Sequence, residues 1–154
     1  MASFMMIYTS MTGNTKAMAE AIAAGIREAG YAVEMLDAFE ADPSFLDDCD
    51  GFLIGTYTWG GGELPDDFLD FYEELDAVVL SGKKALVFGS FDSSYGDNGI
   101  AVDIMIEKLQ ERGAEIFHNG YKVELRPSPE QLAECKRLGY LFARSIVKTM
   151  EPSS

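Results

Sequence analysis

An open, five-stranded parallel α/β sheet with helices on both faces is the fold class that this sequence predicts. Three observations point to it. Five strand-like segments, at 3–8, 31–36, 51–56, 85–88 and, with its extension, 114–125, alternate with stretches of helical hydrophobic period. The first, third and fourth runs are apolar almost throughout, as strands covered on both faces are. Each of these three is followed by a loop rich in Ser, Thr, Gly, Asn or Asp, and ligands on such sheets sit beyond the carboxyl ends of the strands, where strand order reverses.

Taken in order, residues 3–8 form the first strand. Over 15–29, Met18, Ile22, Ile26 and Ala29 recur at three- and four-residue spacing, predicting an amphipathic helix that Gly30 stops. Residues 31–36 alternate into the second strand, and 37–50 are acidic, with Pro43 and room for one helical turn. The third strand is Gly-Phe-Leu-Ile-Gly-Thr at 51–56. Pro65 sits near the start of a helix carrying Phe68, Leu69, Tyr72 and Leu75. Lys83 and Lys84 precede the fourth strand, 85–88. Residues 100–112 are helical, with Val102, Met105, Ile106 and Leu109 on one side and Gly113 as the stop. Residues 114–125 read as a fifth strand with its extension. A last helix from Ser128 or Pro129 sets Leu132, Cys135, Gly139, Phe142 and Ile146 on one stripe. No repeat or linker interrupts the pattern, so 1–154 is expected to be one domain, with its core at about 3–148.

Of the 154 residues, 47% are hydrophobic, and the net charge is −14. That charge is segregated: 28–82 holds 15 acidic residues and no Lys or Arg, leaving a net +1 for the rest. Such a surface excludes nucleic-acid binding by phosphate neutralisation. Its field favours basic partners and weakens with salt. Solubility alone accounts for acidity but not for its segregation. The chain has no apolar run of membrane-spanning length and no leader-like N-terminus, so a cytoplasmic protein that does not bind membranes is expected. Cys49 and Cys135 stand apart with no metal-ligand spacing, and ordinary semi-buried thiols of a reducing compartment are expected.

The first loop, Thr9-Ser10-Met11-Thr12-Gly13-Asn14-Thr15, gathers N–H and hydroxyl donors at a helix start, in front of the positive end of the helix dipole. That makes an anion cradle, suited to a phosphate. It is no Walker loop, lacking Gly-Lys-Ser/Thr, and no dinucleotide fingerprint, having one glycine where three are needed. The competing reading is a helix simply capped by Thr12 or Thr15. The second loop, Thr56-Tyr57-Thr58-Trp59-Gly60-Gly61, contains the only tryptophan, and the third, 90–98, sets Tyr95 among turn formers. Two large aromatics beside a phosphate cradle suit a planar ring stacked between them. Read singly, Trp59 is equally a core or interface residue, and Tyr95 a surface one.

Together these loops resemble those of a known family. The chain is similar to the short-chain flavodoxins over about 3–148. Ser10-Met11-Thr12-Gly13-Asn14-Thr15 resembles their phosphate loop, Thr58-Trp59-Gly60 their inner flavin loop and Asp92-Ser93-Ser94-Tyr95 their outer loop. Met11 stands where a small polar residue is usual, and Phe91 where a small one is. The resemblance implies a flavodoxin-like three-layer α/β/α sandwich of strand order 2-1-3-4-5, with FMN at the switch point; this is the family's known arrangement and not a deduction from spacing. It implies FMN contacts from Thr9, Ser10, Met11, Thr12, Gly13, Asn14 and Thr15 in the first loop. In the second these are Thr56, Tyr57, Thr58, Trp59, Gly60 and Gly61. The third supplies Ser90, Phe91, Asp92, Tyr95, Asp97 and Asn98. It further implies that the Gly60–Gly61 peptide turns over on one-electron reduction, a movement glycine permits in both orientations.

A low-potential one-electron carrier is therefore expected, cycling mainly between the semiquinone and hydroquinone of non-covalent FMN. The acids at 63, 66, 67 and 70 disfavour the anionic hydroquinone, and each 1.4 kcal/mol of disfavour lowers a one-electron potential by about 59 mV. No acid–base pair, activated nucleophile or metal cluster is visible, so the chain is not expected to be an enzyme. His118 stands alone and is expected to be structural. The implied partners are basic-faced redox proteins, with an NAD(P)H-dependent flavodoxin or ferredoxin reductase as donor and an oxidoreductase as acceptor, and the implied state is monomeric. The alternative, an FMN-dependent NAD(P)H:quinone reductase, needs room above the ring that Tyr95 would close. A phospho-acceptor signalling domain needs an aspartate where the third strand ends in Gly55-Thr56.

Overall fold

Parallel pairing of β1 (Phe4–Tyr8) with both β2 (Val33–Asp37) and β3 (Gly51–Tyr57) places the first strand inside the sheet. β3 pairs in turn with β4 (Lys84–Phe91), and β4 with β5 (Glu115–Ile116), giving the expected order 2-1-3-4-5. The computed structural model describes residues 3–10, 12–58, 64–95 and 98–150; for Asp67, Tyr95 and 147–150 the backbone alone is described.

The fifth strand departs from expectation. It is split, with β6 (Tyr121–Glu124) pairing β4 farther along. Continuing the Ala85↔Ile116 register would set Phe88 opposite Asn119, but Phe88 faces Tyr121, so the chain makes a two-residue excursion. Two features produce it. Gly120 takes a left-handed φ of 100°, and Phe117 packs its ring edge-on against Phe142 at 5.4 Å. No long insertion is present, as expected.

Strand alternation feeds two cores. Phe4, Met6, Leu53, Leu86 and Phe88 face α1 (Asn14–Glu28) and α4 (Pro129–Met150). Ile7, Phe52, Ile54, Ala85 and Val87 face the side of α2 (Asp66–Glu74), α3 (Ile100–Glu111) and the 3-10 turns Ala38–Glu40 and Pro43–Asp48. Fully buried rings such as Phe52, Phe88 and Phe142 contribute about 1.5–3 kcal/mol each. In α2, Phe71 joins Phe68 in the core, as does Leu75 just beyond the helix, while Leu69 is exposed. The cause is rotation: three- and four-residue steps from Phe68 stay on one face, and a single step turns about 100° away. α1 and α4 cross closely at Gly25 and Gly139, where a Cβ would fall on the carbonyl oxygens of Lys136 and Ile22 respectively. Among the described residues no helix is long and apolar enough to cross a membrane.

Candidate functional site

The three unusual loops leave the carboxyl ends of β1, β3 and β4, which are neighbours in the sheet. At the first, the Thr9 N–H donates to the Gly55 carbonyl at 3.0 Å, extending the β1–β3 pairing beyond Tyr8 and burying Thr9. The chain then turns about Ser10, whose Oγ accepts from the N–H groups of Gly13 (3.1 Å) and Lys16 (3.2 Å). Gly13, at φ 88°, aims the chain into α1, and nothing lies within 4 Å of where its Cβ would be. Backbone conformation, then, is what calls for glycine there.

Neither threonine caps the helix in the way the competing reading required. The N-cap residue of α1 is Gly13, which has no side chain to cap with; the Lys16 N–H goes to Ser10 Oγ, and the first turn holds no acidic residue. Thr12 is exposed. Thr15 is buried, its Oγ1 sharing a 2.7 Å hydrogen bond with Ser90 Oγ from the end of β4. In a chain of net charge −14, an acid-free first turn at the positive end of a 15-residue helix leaves the position open to an external anion. The donors there are neutral amides and hydroxyls, which fits the phosphate of FMN.

The other two loops are tied to each other. The Thr58 N–H donates to the Ser90 carbonyl at 3.2 Å, and Thr58 Oγ1 accepts from the Ala101 N–H at 3.2 Å, so the loop after β3 supplies a partner for the first turn of α3. The Thr56 hydroxyl is buried and donates to the Tyr57 carbonyl at 2.9 Å. In the third loop, Asp92 Oδ1 accepts from the Ser94 hydroxyl (2.7 Å) and N–H (2.9 Å). These bonds, the hydroxyl's first, hold the Asp92 carboxyl below its ordinary range. Ser93–Tyr95 forms a 3-10 turn, Phe91 is half-buried and Asn98 exposed.

Of the residues expected to contact the cofactor, Thr9, Ser10, Thr12, Gly13, Asn14, Thr15, Thr56, Tyr57, Thr58, Ser90, Phe91, Asp92 and Asn98 lie on the ends of three adjoining strands or on the loops and helix start that follow them. Met11, Trp59, Gly60, Gly61, Asp97 and the side chain of Tyr95 lie outside the described residues. One participant escapes sequence reasoning altogether. Glu124, at the end of β6, accepts hydrogen bonds from the N–H (3.2 Å) and hydroxyl of Ser93. No local pattern marks a pairing between residues so far apart in the chain.

The remaining candidates lie elsewhere. Cys49 and Cys135 are buried, and burial pushes their thiols up to about 11 and about 12, so they stay protonated at neutral pH. His118 sits in the excursion between β5 and β6, edge-on to Tyr121 at 6.3 Å. Among the described residues no group of His, Cys, Asp and Glu could hold a metal ion.

Comparison with known proteins accords with this geometry. A family model described as Flavodoxin matches residues 6–139. "Probable flavodoxin 2" of Bacillus subtilis is 41% identical over 145 residues, covering 94% of this chain and 96% of that one. The "Flavodoxin" of Nitratidesulfovibrio vulgaris is 39% identical over 132 residues, covering 82% and 88%. Among solved structures, oxidised Flavodoxin 1 from Bacillus cereus superposes with a TM-score of 0.88 at 48% identity, covering 97% of this chain and all of that one. This chain belongs to the flavodoxin family, whose members are FMN-binding electron carriers rather than enzymes.

Proposed function

We propose that this chain is a low-potential one-electron carrier, cycling mainly between the semiquinone and hydroquinone of non-covalently bound FMN. The observation that carries the reading is the acid-free start of α1, built at the switch point of a chain otherwise strongly acidic. In this reading the phosphate rests on the amides and hydroxyls of 10–15. The ring lies between the loops after β3 and β4, with Trp59 and Tyr95 on its faces, and Gly60–Gly61 supplies the peptide that answers the redox change. The remaining contacts are those of Thr9, Thr56, Tyr57, Thr58, Ser90, Phe91, Asp92, Asp97 and Asn98.

FMN supplies the one-electron chemistry, and the protein sets its energetics. The acids that follow the inner loop raise the free energy of an anionic reduced ring, which lowers its potential. The exposed carboxylates of the β2–α2 side, including Asp37, Glu40, Asp42, Asp70 and Glu73, steer basic-faced partners towards the strand ends. Those partners are an NAD(P)H-dependent flavodoxin or ferredoxin reductase as donor and an oxidoreductase as acceptor. The chain works as a cytoplasmic, single-domain monomer.

Anaerobic titration with dithionite, followed by absorption, tests the reading. A long-wavelength blue intermediate accumulating before full reduction is the predicted course. Direct passage to the two-electron form, or oxidation of NAD(P)H by the protein alone, would contradict it and favour the quinone-reductase reading.

A further inference from the structure

The outer loop is held from a strand that the cofactor site does not otherwise use. β6 ends at Glu124, opposite Phe91 in the β4 ladder. Immediately after it, Leu125 donates its N–H to the Phe91 carbonyl at 2.8 Å and takes a φ of 59°. Among the described residues it is the sole non-glycine with positive φ. A leucine in that region is strained, and its side chain is 49% exposed, so core packing does not hold it there. The hydrogen bonds around it do. Glu124 accepts from both the N–H and the hydroxyl of Ser93, the first residue of the Ser93–Tyr95 turn. Asp92 accepts from both donors of Ser94, the next residue. Two carboxylates thus take four donors from two adjacent serines, one bracing the turn from within and the other anchoring it to a different strand.

We propose that Glu124 is a positioning residue that presets the 92–95 turn, and with it the backbone that carries Tyr95, before FMN arrives. The inference rests on reading that turn as the outer flavin loop. A hydrogen bond to a charged acceptor is stronger than a neutral one, so the carboxylate holds Ser93 more firmly than an amide would. The anchor does not need the negative charge itself, because a glutamine oxygen in the same place can still accept.

The test compares the whole chain with its Glu124→Ala and Glu124→Gln variants, each prepared flavin-free and then titrated with FMN. In the flavin-free chains, hydrogen exchange of the Ser93 amide should speed up about tenfold or more in Glu124→Ala, and stay within about threefold of wild type in Glu124→Gln. Amides of Phe52 and Val87, in the central strands, should exchange alike in all three chains, confirming that the fold is intact. The FMN dissociation rate should rise about tenfold in Glu124→Ala and be largely restored in Glu124→Gln. Ser93 exchange unchanged by Glu124→Ala would overturn the proposal. So would FMN loss that is equal in the two variants, since that would assign Glu124 a purely electrostatic effect. If the wild-type chain binds no FMN, the functional reading fails, while the exchange comparison still decides whether Glu124 presets the turn.

Discussion

Gly13 and Asp92 show how single residues shape the two ends of the site. Gly13 has open space around its Cβ position and a φ of 88°, so any larger residue there meets backbone strain alone. That strain is about 1–2 kcal/mol for an L-residue in the left-handed region. Gly13→Ala should therefore weaken FMN binding by about 5- to 30-fold while leaving the fold intact, as fluorescence titration would measure. Unchanged affinity would mean that the turn tolerates another conformation. Asp92 gives a pH prediction. Its folded pKa lies below the ordinary 3.8, chiefly because of the Ser94 hydroxyl and next the Ser94 N–H. A depressed carboxylate stabilises the folded state fully above its unfolded pKa and loses that contribution as pH falls through the folded value. A carboxyl NMR titration should place the Asp92 midpoint below 3.8, and Ser94→Ala should move it up. A midpoint at or above 3.8 in the wild type would break the assignment.

Among the elements, the α1–α4 crossing is where propensity and packing oppose each other. Alanine is favoured over glycine inside a helix by about 1 kcal/mol, which predicts that Gly25→Ala stabilises the protein. A Cβ at that position falls on the Lys136 carbonyl, which is backbone and cannot rotate away. Overpacking costs about 1–3 kcal/mol, and more where backbone must move, so packing wins. Urea denaturation should show Gly25→Ala less stable by about 1–2 kcal/mol or more. Greater stability would mean that the helices separate at little cost.

The elements also show what was legible in the sequence. α1, α3 and α4 could be read from their stripes, because Met18, Ile22 and Ile26, or Cys135, Phe142 and Ile146, repeat at the helical period and are buried as that period requires. Gly30 and Gly113 marked helix ends, and both take left-handed φ just beyond them. The split of β5 from β6 was not legible. Its two-residue excursion depends on Phe117 meeting Phe142, a contact between distant parts of the chain. Likewise the phosphate loop was visible as a run of donors, whereas the bonds joining the loops were not. Thr15 to Ser90, Thr58 to Ala101 and Ser93 to Glu124 are each set by which strands lie side by side.

At the scale of the whole molecule, the decisive feature is where charge is placed and where it is withheld. The 28–82 window carries 15 acids, and its described carboxylates are almost all exposed. Rates of electron transfer to a basic redox protein should therefore fall steeply as ionic strength rises from 10 to about 500 mM, since screening shortens from roughly 30 Å to a few Å. Stopped-flow kinetics would show it, and rates independent of salt would remove steering from the account. The first turn of α1, by contrast, is free of acids. That position is where the phosphate of the cofactor is to bind. Comparing FMN with riboflavin in a fluorescence titration of the flavin-free protein tests it most directly. Two charge-assisted hydrogen bonds at about 1.5 kcal/mol each predict that FMN binds about a hundredfold or more tightly. Equal affinity for the two flavins would contradict the claim.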